Sequence, residues 1–497
     1  MAFKDLAKDA VIIGLTQVLV NVGNFLLLPV ITKTLGTNDY GLWVQVLVTI
    51  SLLSSVAILG QSVTLLRFLR SGEDRKRISR EYFGAFAIVA AFGAVLTAAM
   101  IALCVPLAEF IFQDGTLAAV LVLGALTVPF AAFTGINSSY FRAMGQIRTY
   151  ALVNIFNAFG EVGLILLFVV GGMGVLGAVL GSFIIAVVAF IMGLSLVLRQ
   201  VGYSRPDREI FKRNFKFGLP LTPNTLIHWV LSSSDRYLLA ILVGLSLAGI
   251  YSAAFNIGAV IYLLVAPIQL VLYPTLARLY DDGRIDQVKE YLRRSFRYYM
   301  ILVLPAVVGI SVLAGPIIMA LTTPAFAPGA AVIPFIALAG LLSGMSRFVD
   351  NVPHLVKKTH LNFITFSIPA VLNVALVFVL TPLFGIVGAG IAATASHVVM
   401  LLIGLSISRR FLTFSVDWAA IAKSVAASLA MAASILLIGT TGSMLGIFLV
   451  IAAGAVIYFV VLLALKGFTR DEIDIALNYA RRFTAMRSGR TAGRRGD

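Results

Sequence analysis

The chain has 497 residues, of which 60% are hydrophobic and only 12% charged, and its mean hydropathy is +1.00. No water-soluble globular chain of ordinary composition approaches those values, so the sequence reads as an all-α, polytopic membrane protein. The formal net charge of +16 would suggest nucleic acid in a soluble protein, but here it must first be set against loop topology.

Windows of about 20 apolar residues fall at 10–32, 41–66, 83–106, 117–140, 150–171, 174–198, 217–243, 248–273, 299–321, 330–354, 361–382, 385–408, 420–440 and 444–465. They predict about fourteen transmembrane helices. The first window is spanning length and runs straight into a repeated motif, so it reads as a membrane helix rather than a cleavable signal peptide. All but three of the 38 Lys and Arg gather at the start, at 67–80, 142–148, 199–216, 278–297, 357–358, 409–423 and in the tail at 466–495. These are the segments that face inward if the N-terminus is cytoplasmic. An even helix number then places both termini in the cytoplasm, as the positive-inside rule asks, and a plasma membrane is the expected location. The basic charge is accounted for without nucleic acid.

Two internal matches divide the chain. LGTNDYGLW at Leu35–Trp43 returns as VGLSLAGIY at Val243–Tyr251, and GVLGA at Gly174–Ala178 returns as GIVGA at Gly385–Ala389. Both offsets are about 210 residues, so the register holds over nearly a whole lobe. The expected organisation is a six-helix lobe over 1–200, a second over 201–410 in the same orientation, two appended helices over 411–466, and an amphipathic, basic tail over 467–497. The tail opens with a capping box, Thr469 to Glu472. The glycine-rich GGMGVLG at Gly171 lacks a lysine and a strand-helix context and reads as a tight turn, not a phosphate loop. Short amphipathic helices are expected in the inner loops after windows 2, 6 and 8, the last in DDGRIDQVKEYLRRSFRY.

Four His, one Cys (Cys104) and scattered carboxylates give no metal spacing, no nucleophile-base pair and no intrachain disulfide; neither an enzyme nor a cofactor is implied. Polar stripes on apolar helices carry the functional signal instead. Gln17, Asn21 and Asn24 share a face of the first helix, and Asn154, Asn157 and Glu161 share a face of the fifth. The seventh carries Asn224, His228 and Asp235, with Trp229, Ser232 and Arg236 adjoining; the tenth carries Ser343, Arg347, Asp350 and His354. Ionisable groups at membrane depth are expensive and point to function.

One reading places these stripes on a wet cavity between the lobes, where Arg236 and Arg347 attract an anion and Gln17, Asn21, Asn24, Asn224 and Ser232 meet hydroxyl-rich material. The other pairs Arg347 with Asp350, one turn apart, and gives Asp235 a partner on a neighbouring helix. A desolvated carboxylate can exchange a proton near neutral pH, so Glu161, Asp235 and Asp350 are coupling candidates, with His228 in the same relay. Glu161 bound to Asn154 or Asn157 for packing, and His228 as a satisfied core histidine, are the plainer alternatives. Trp229 stacks on a sugar ring or faces lipid and core.

LGTNDYGLW, YFRAMGQIRTYALVNI, SSSDRYLLAILVGLSLAGIYSAAFNI and PTLARLYDDGRIDQVKEYLRRSFRY together resemble the polysaccharide-flippase (Wzx-like) branch of the multidrug/oligosaccharidyl-lipid/polysaccharide exporter superfamily. The resemblance covers essentially the whole chain. It implies two six-helix bundles with pseudo-twofold symmetry, lateral gates framed by the first, second, seventh and eighth helices, and alternating access that moves a polyprenyl-diphosphate-linked oligosaccharide to the outer leaflet. It implies cavity cations that meet the diphosphate, with Arg236 carried over from the SSSDRY motif. A monomer working beside polymerase or ligase proteins of a glycan pathway is expected. Lipid II flippases of the superfamily carry arginine in the first helix; this chain has none there, which disfavours that substrate. A cation-coupled multidrug exporter of the same fold remains the main alternative. A membrane-embedded glycosyl ligase or polymerase would need a chemically equipped outer loop, whereas the longest candidate, Thr322–Ala331, is uncharged.

Overall fold

A computed structural model describes residues 2–70, 72–109, 115–439 and 443–468, together with Glu472. Among these residues every regular element is helical, and twelve spans are long and apolar enough to cross a membrane. The longest membrane-crossing helices are α1 (Ala2–Ile58), α2 (Arg75–Ala102), α3 (Ala118–Ala143), α4 (Ile147–Phe168), α5 (Gly174–Val201) and α6 (Thr222–Val243). They continue with α7 (Leu245–Gly258) and α8 (Ala266–Asp281), which together make one span, and with α9 (Ile285–Val312), α10 (Ile333–Leu355), α11 (His360–Phe384), α12 (Ile386–Ser408), α13 (Trp418–Ile438) and α14 (Met444–Ala464).

Two spans hold two crossings each. The span Val11–Ile58 has 48 residues, a length of about 72 Å, more than twice the roughly 30 Å hydrocarbon layer. It bends at one residue, Gly36, with φ 75° and ψ −174°. The span Ile147–Val201 breaks at Gly172 and Gly174, with φ 86° and 58°, so the GGMGVLG stretch is a tight turn as expected. Counted this way, the fourteen crossings that the apolar windows predict are present. The first two crossings meet at a single residue, Gly36, where the windows 10–32 and 41–66 left a longer connection.

The internal matches recur as backbone geometry. Gly244 repeats the Gly36 bend with φ 89° and ψ 166°, and Gly385 (φ 59°, ψ −141°) repeats Gly174 (φ 58°, ψ −145°). The two halves then touch reciprocally. A Cβ added to Gly41 would sit 2.1 Å from the Leu245 carbonyl oxygen, and one added to Gly249 would sit 2.3 Å from the Thr37 oxygen. Only glycine lets two backbones pass so closely.

A core of buried side chains from both halves, including Ile31, Tyr40, Leu239, Tyr251 and Phe326, fills the seam near these bends. Smaller cores lie within the first half, around Tyr82 and Phe141, and within the second, around Leu292 and Phe348. The helices α13 and α14 pack on α9 through Met431, Tyr458 and Leu462 against Ile301, and the Tyr458 hydroxyl donates to the Ile301 carbonyl at 2.7 Å.

The inner-loop expectations divide. Arg208–Gly218 is a separate amphipathic helix capped by Asp207, whose carboxylate accepts from the Glu209 N–H at 2.8 Å. Its Arg213 pairs with the buried Glu81 of α2, which ties this connecting helix to the first half. The stretch after window 8 forms no separate helix: Gly283, with φ 74°, makes the turn, and α9 runs unbroken from Ile285 through Pro305 to Val312. After window 2, Gln61–Phe68 is a short helix set off by the left-handed Gly60. Of the tail, Gly467, Phe468 and Glu472 are described, and Glu472 accepts from Arg297 at 3.2 Å and from the Tyr298 hydroxyl at 2.7 Å; the rest of the expected amphipathic helix lies outside the described residues.

Candidate functional site at the seam and on helix α10

Near Gly36 and Gly244 the two halves are joined by hydrogen bonds. Lys33 Nζ donates to the Ala320 carbonyl at 3.2 Å, Ser246 Oγ donates to Thr37 Oγ1 at 2.8 Å, and Asn256 Nδ2 donates to the Tyr40 hydroxyl at 3.1 Å. Deeper in, Thr49 and Tyr237 share a hydrogen bond across the seam. Beside it a cavity of about 320 Å³ lies among Leu53, Met100, Leu121, Trp229, Tyr237 and Leu238. Its walls are apolar apart from hydroxyls, so it suits a hydrocarbon chain better than a charged group.

The polar stripe of α1 is accessible. Gln17 and Asn24 are exposed and Asn21 is half-buried, its side-chain amide donating to the Gln17 carbonyl at 2.7 Å. On α6, Asn224 and Ser232 are exposed, while His228 and Trp229 are half-buried. The His228 ring packs on Phe366 with centroids 4.5 Å apart, and Trp229 packs on Tyr237 at 5.8 Å.

Asp235 and Arg236 sit at the other end of α6, and both are buried. The Tyr251 hydroxyl donates to the Asp235 carboxylate. Arg236 donates through Nη1 to the Ser232 carbonyl at 2.9 Å, and its guanidinium lies over the Phe255 ring, 4.2 Å from the centroid. Both charges are therefore satisfied between α6 and α7. Glu161 on α4 is half-buried and accepts from Ser182 Oγ of α5 at 2.9 Å, while Asn154 donates to Ser138 Oγ at 3.2 Å. The packing partner of Glu161 is thus a serine and not the amides of its own helix.

Helix α10 separates what its spacing groups together. Arg347 and His354 are exposed, but Asp350 is buried, at 6% exposure, and turned toward Gly404 of α12. Arg347 lies in the electrostatic field of both Asp350 and His228. Among the described residues no ion pair joins Arg347 to Asp350. His354 Nε2 meets Asn362 Nδ2 at 2.8 Å, and Asn351 donates to Gln269 Oε1 at 3.2 Å, so polar groups of α8, α10 and α11 line one region. Residues that the stripe pattern missed include Tyr40, Tyr237, Tyr251 and Asn256. The repeat held the available signal, since Tyr251 occupies the position of Trp43.

A family model for "Polysaccharide biosynthesis protein" matches residues 6–280, more than half of the chain. The chain belongs to this family. The "Probable flippase AglR" of Haloferax volcanii is 29% identical over 261 residues, 49% of this chain and 52% of that protein. The chain therefore matches only about half the length of that relative. Among solved structures, the lipid II flippase MurJ in an inward closed conformation superposes with a TM-score of 0.77 at 15% identity, over 92% of this chain and 99% of that one. An inward-facing MATE family multidrug resistance transporter follows at 0.66 and 15% identity, over 78% and 94%. A MOP superfamily transporter from Pyrococcus furiosus, whose binding pocket is described as reversed in polarity, gives 0.57 at 14% identity, over 82% and 95%. These likenesses establish a shared membrane fold for this polysaccharide biosynthesis family member.

Proposed function

We propose that the chain moves a polyprenyl-diphosphate-linked oligosaccharide from the cytoplasmic to the outer leaflet of the plasma membrane, for assembly of a cell-surface polysaccharide or glycan. Residues 1–200 and 201–410 act as the two lobes of an alternating-access cycle, the protein works as a monomer, and a polymerase or ligase receives the product. The observation that carries this reading is a polysaccharide-biosynthesis family member with exposed amide, hydroxyl and guanidinium groups on membrane-crossing helices: Gln17, Asn24, Asn224, Ser232 and Arg347. A sugar head group forfeits hydrogen bonds worth several kcal/mol each if it enters hydrocarbon unaided. A polar cleft open to lipid at its side lowers that barrier while the prenyl tail stays in the bilayer.

In the orientation that the basic loops imply, with both termini cytoplasmic, the sealed end of the seam is the outer one and the arrangement is inward-facing. Arg347 is then the cation that a diphosphate reaches first, whereas Arg236 becomes reachable only if α6 and α7 part. The test is transbilayer exchange of a fluorescent polyprenyl-diphosphate oligosaccharide in liposomes, read with a membrane-impermeant quencher or glycosidase. Exchange that needs the protein and is lost in Arg347→Ala is the expected result. No exchange with any polyprenyl carrier, under a pH gradient or a potential, would refute the flippase reading in favour of drug export.

A further inference from the structure

Asp350 is buried and, among the described residues, neither of its carboxylate oxygens has a hydrogen-bond partner. Native proteins rarely leave a buried carboxylate bare, because a desolvated charge without donors or a counter-ion is costly. Its surroundings narrow the explanation. On its own helix stand Arg347, one turn before, and His354, one turn after, which is occupied by Asn362 at 2.8 Å. Helix α11 brings Thr365, whose hydroxyl is spent on the Leu361 carbonyl at 3.3 Å. Helix α12 presents Gly404, where an added Cβ would sit 3.4 Å from Asp350 Oδ1. The second titratable histidine of α6 and α12, His397, is directed to the Ala393 carbonyl at 2.8 Å and senses Asp235. His228 of α6 shares the field of Arg347. Among the described residues Arg347 is the cation whose field reaches the carboxylate, and it is exposed and makes no ion pair with it.

We propose that Asp350 is the proton-binding group of the transport cycle and that it responds to Arg347, whose charge acts on the carboxylate until the substrate diphosphate neutralises it. The proposal rests on the reading above, in which Arg347 meets the diphosphate. While the diphosphate occupies the guanidinium, Asp350 lacks a counter-charge and takes one proton from the water that wets the cavity. When the diphosphate leaves, the field of the guanidinium acts on the carboxyl group again, the O–H bond breaks and the proton returns to that water. Arginine stays charged throughout, so it cannot itself carry the proton. Only the O–H bond is made and broken, and no oxidant or co-reactant is needed. Anion binding and proton uptake are then linked, and affinity for the diphosphate must rise as pH falls.

The experiment uses the full chain in nanodiscs and a polyprenyl-diphosphate oligosaccharide, a diester with no titrating group of its own near neutrality. Binding is measured between about pH 6 and 8, and proton uptake is followed with a pH-sensitive dye in weak buffer. The wild type should bind more tightly as pH falls, by up to about tenfold per pH unit, with uptake of up to one proton. Asp350→Asn should bind with an affinity that pH does not change and take up no proton, while His228→Gln keeps the wild-type slope. A slope that survives in Asp350→Asn, a slope lost in His228→Gln instead, or binding by the wild type without proton uptake would each overturn the proposal and leave the flippase reading intact. Failure of the wild type to bind any polyprenyl diphosphate would overturn both.

Discussion

Two places in the second half of the chain hold a carboxylate and a guanidinium in membrane-crossing helices, and they handle the charges differently. At the junction of α6 and α7, Asp235 receives a hydroxyl from Tyr251, and Arg236 is occupied by the Ser232 carbonyl and the Phe255 ring. On α10, Asp350 is equally buried but bare, while Arg347 stands exposed one turn away. The first arrangement has already spent its charges on joining two helices. The second keeps them uncommitted at a cost in stability, which is what a site that must exchange partners requires.

That contrast can be broken by substitution. The largest effect on stability is expected from Asp235→Ala, which leaves the Tyr251 hydroxyl without its acceptor and the buried Arg236 without the negative charge beside it. A loss of about 3–5 kcal/mol should appear as a sharp fall in melting temperature and in monodisperse yield from detergent. Tyr251→Phe removes one hydrogen bond to a charged group and should cost about 1.5–3 kcal/mol in the same assay. Asp350→Asn goes the other way: removing a bare buried charge should raise stability, by about 1–2 kcal/mol, and a lowered melting temperature would mean that Asp350 is as well satisfied as Asp235. Arg347→Ala should change stability by no more than about 0.5 kcal/mol, yet reduce liposome exchange at least tenfold. If it unfolded the protein instead, Arg347 would serve packing rather than binding.

The membrane crossings were legible because apolar runs of bilayer length are a strong signal, and the repeat was legible because two glycine bends sit in matching motifs. Spacing along one helix was a poorer guide to the site. Arg347 and Asp350 are three residues apart, close enough on a helix surface to suggest a pair, but that angular offset turns one outward and the other against Gly404. SSSDRY marked Arg236 as important and could not show that Phe255, almost twenty residues later, would cover it. Such partners come from tertiary packing, which a stripe on a single helix does not encode. The absence of a separate amphipathic helix before α9 has a similarly local cause: amphipathic spacing identifies a face but not a break, and here the break is supplied only at Gly283.

The bends at Gly36 and Gly244 also have a mechanical meaning. Each joins two long rods through a single residue, so a pair of helices shares one pivot in the manner of a folding rule. Helix α6 has 22 residues and is about 33 Å long. A turn of roughly 10° at Gly244 therefore carries its Thr222 end through about 6 Å. Small torsional adjustments beside the sealed seam become wide displacements at the far end, where Asn224 and the basic loops lie.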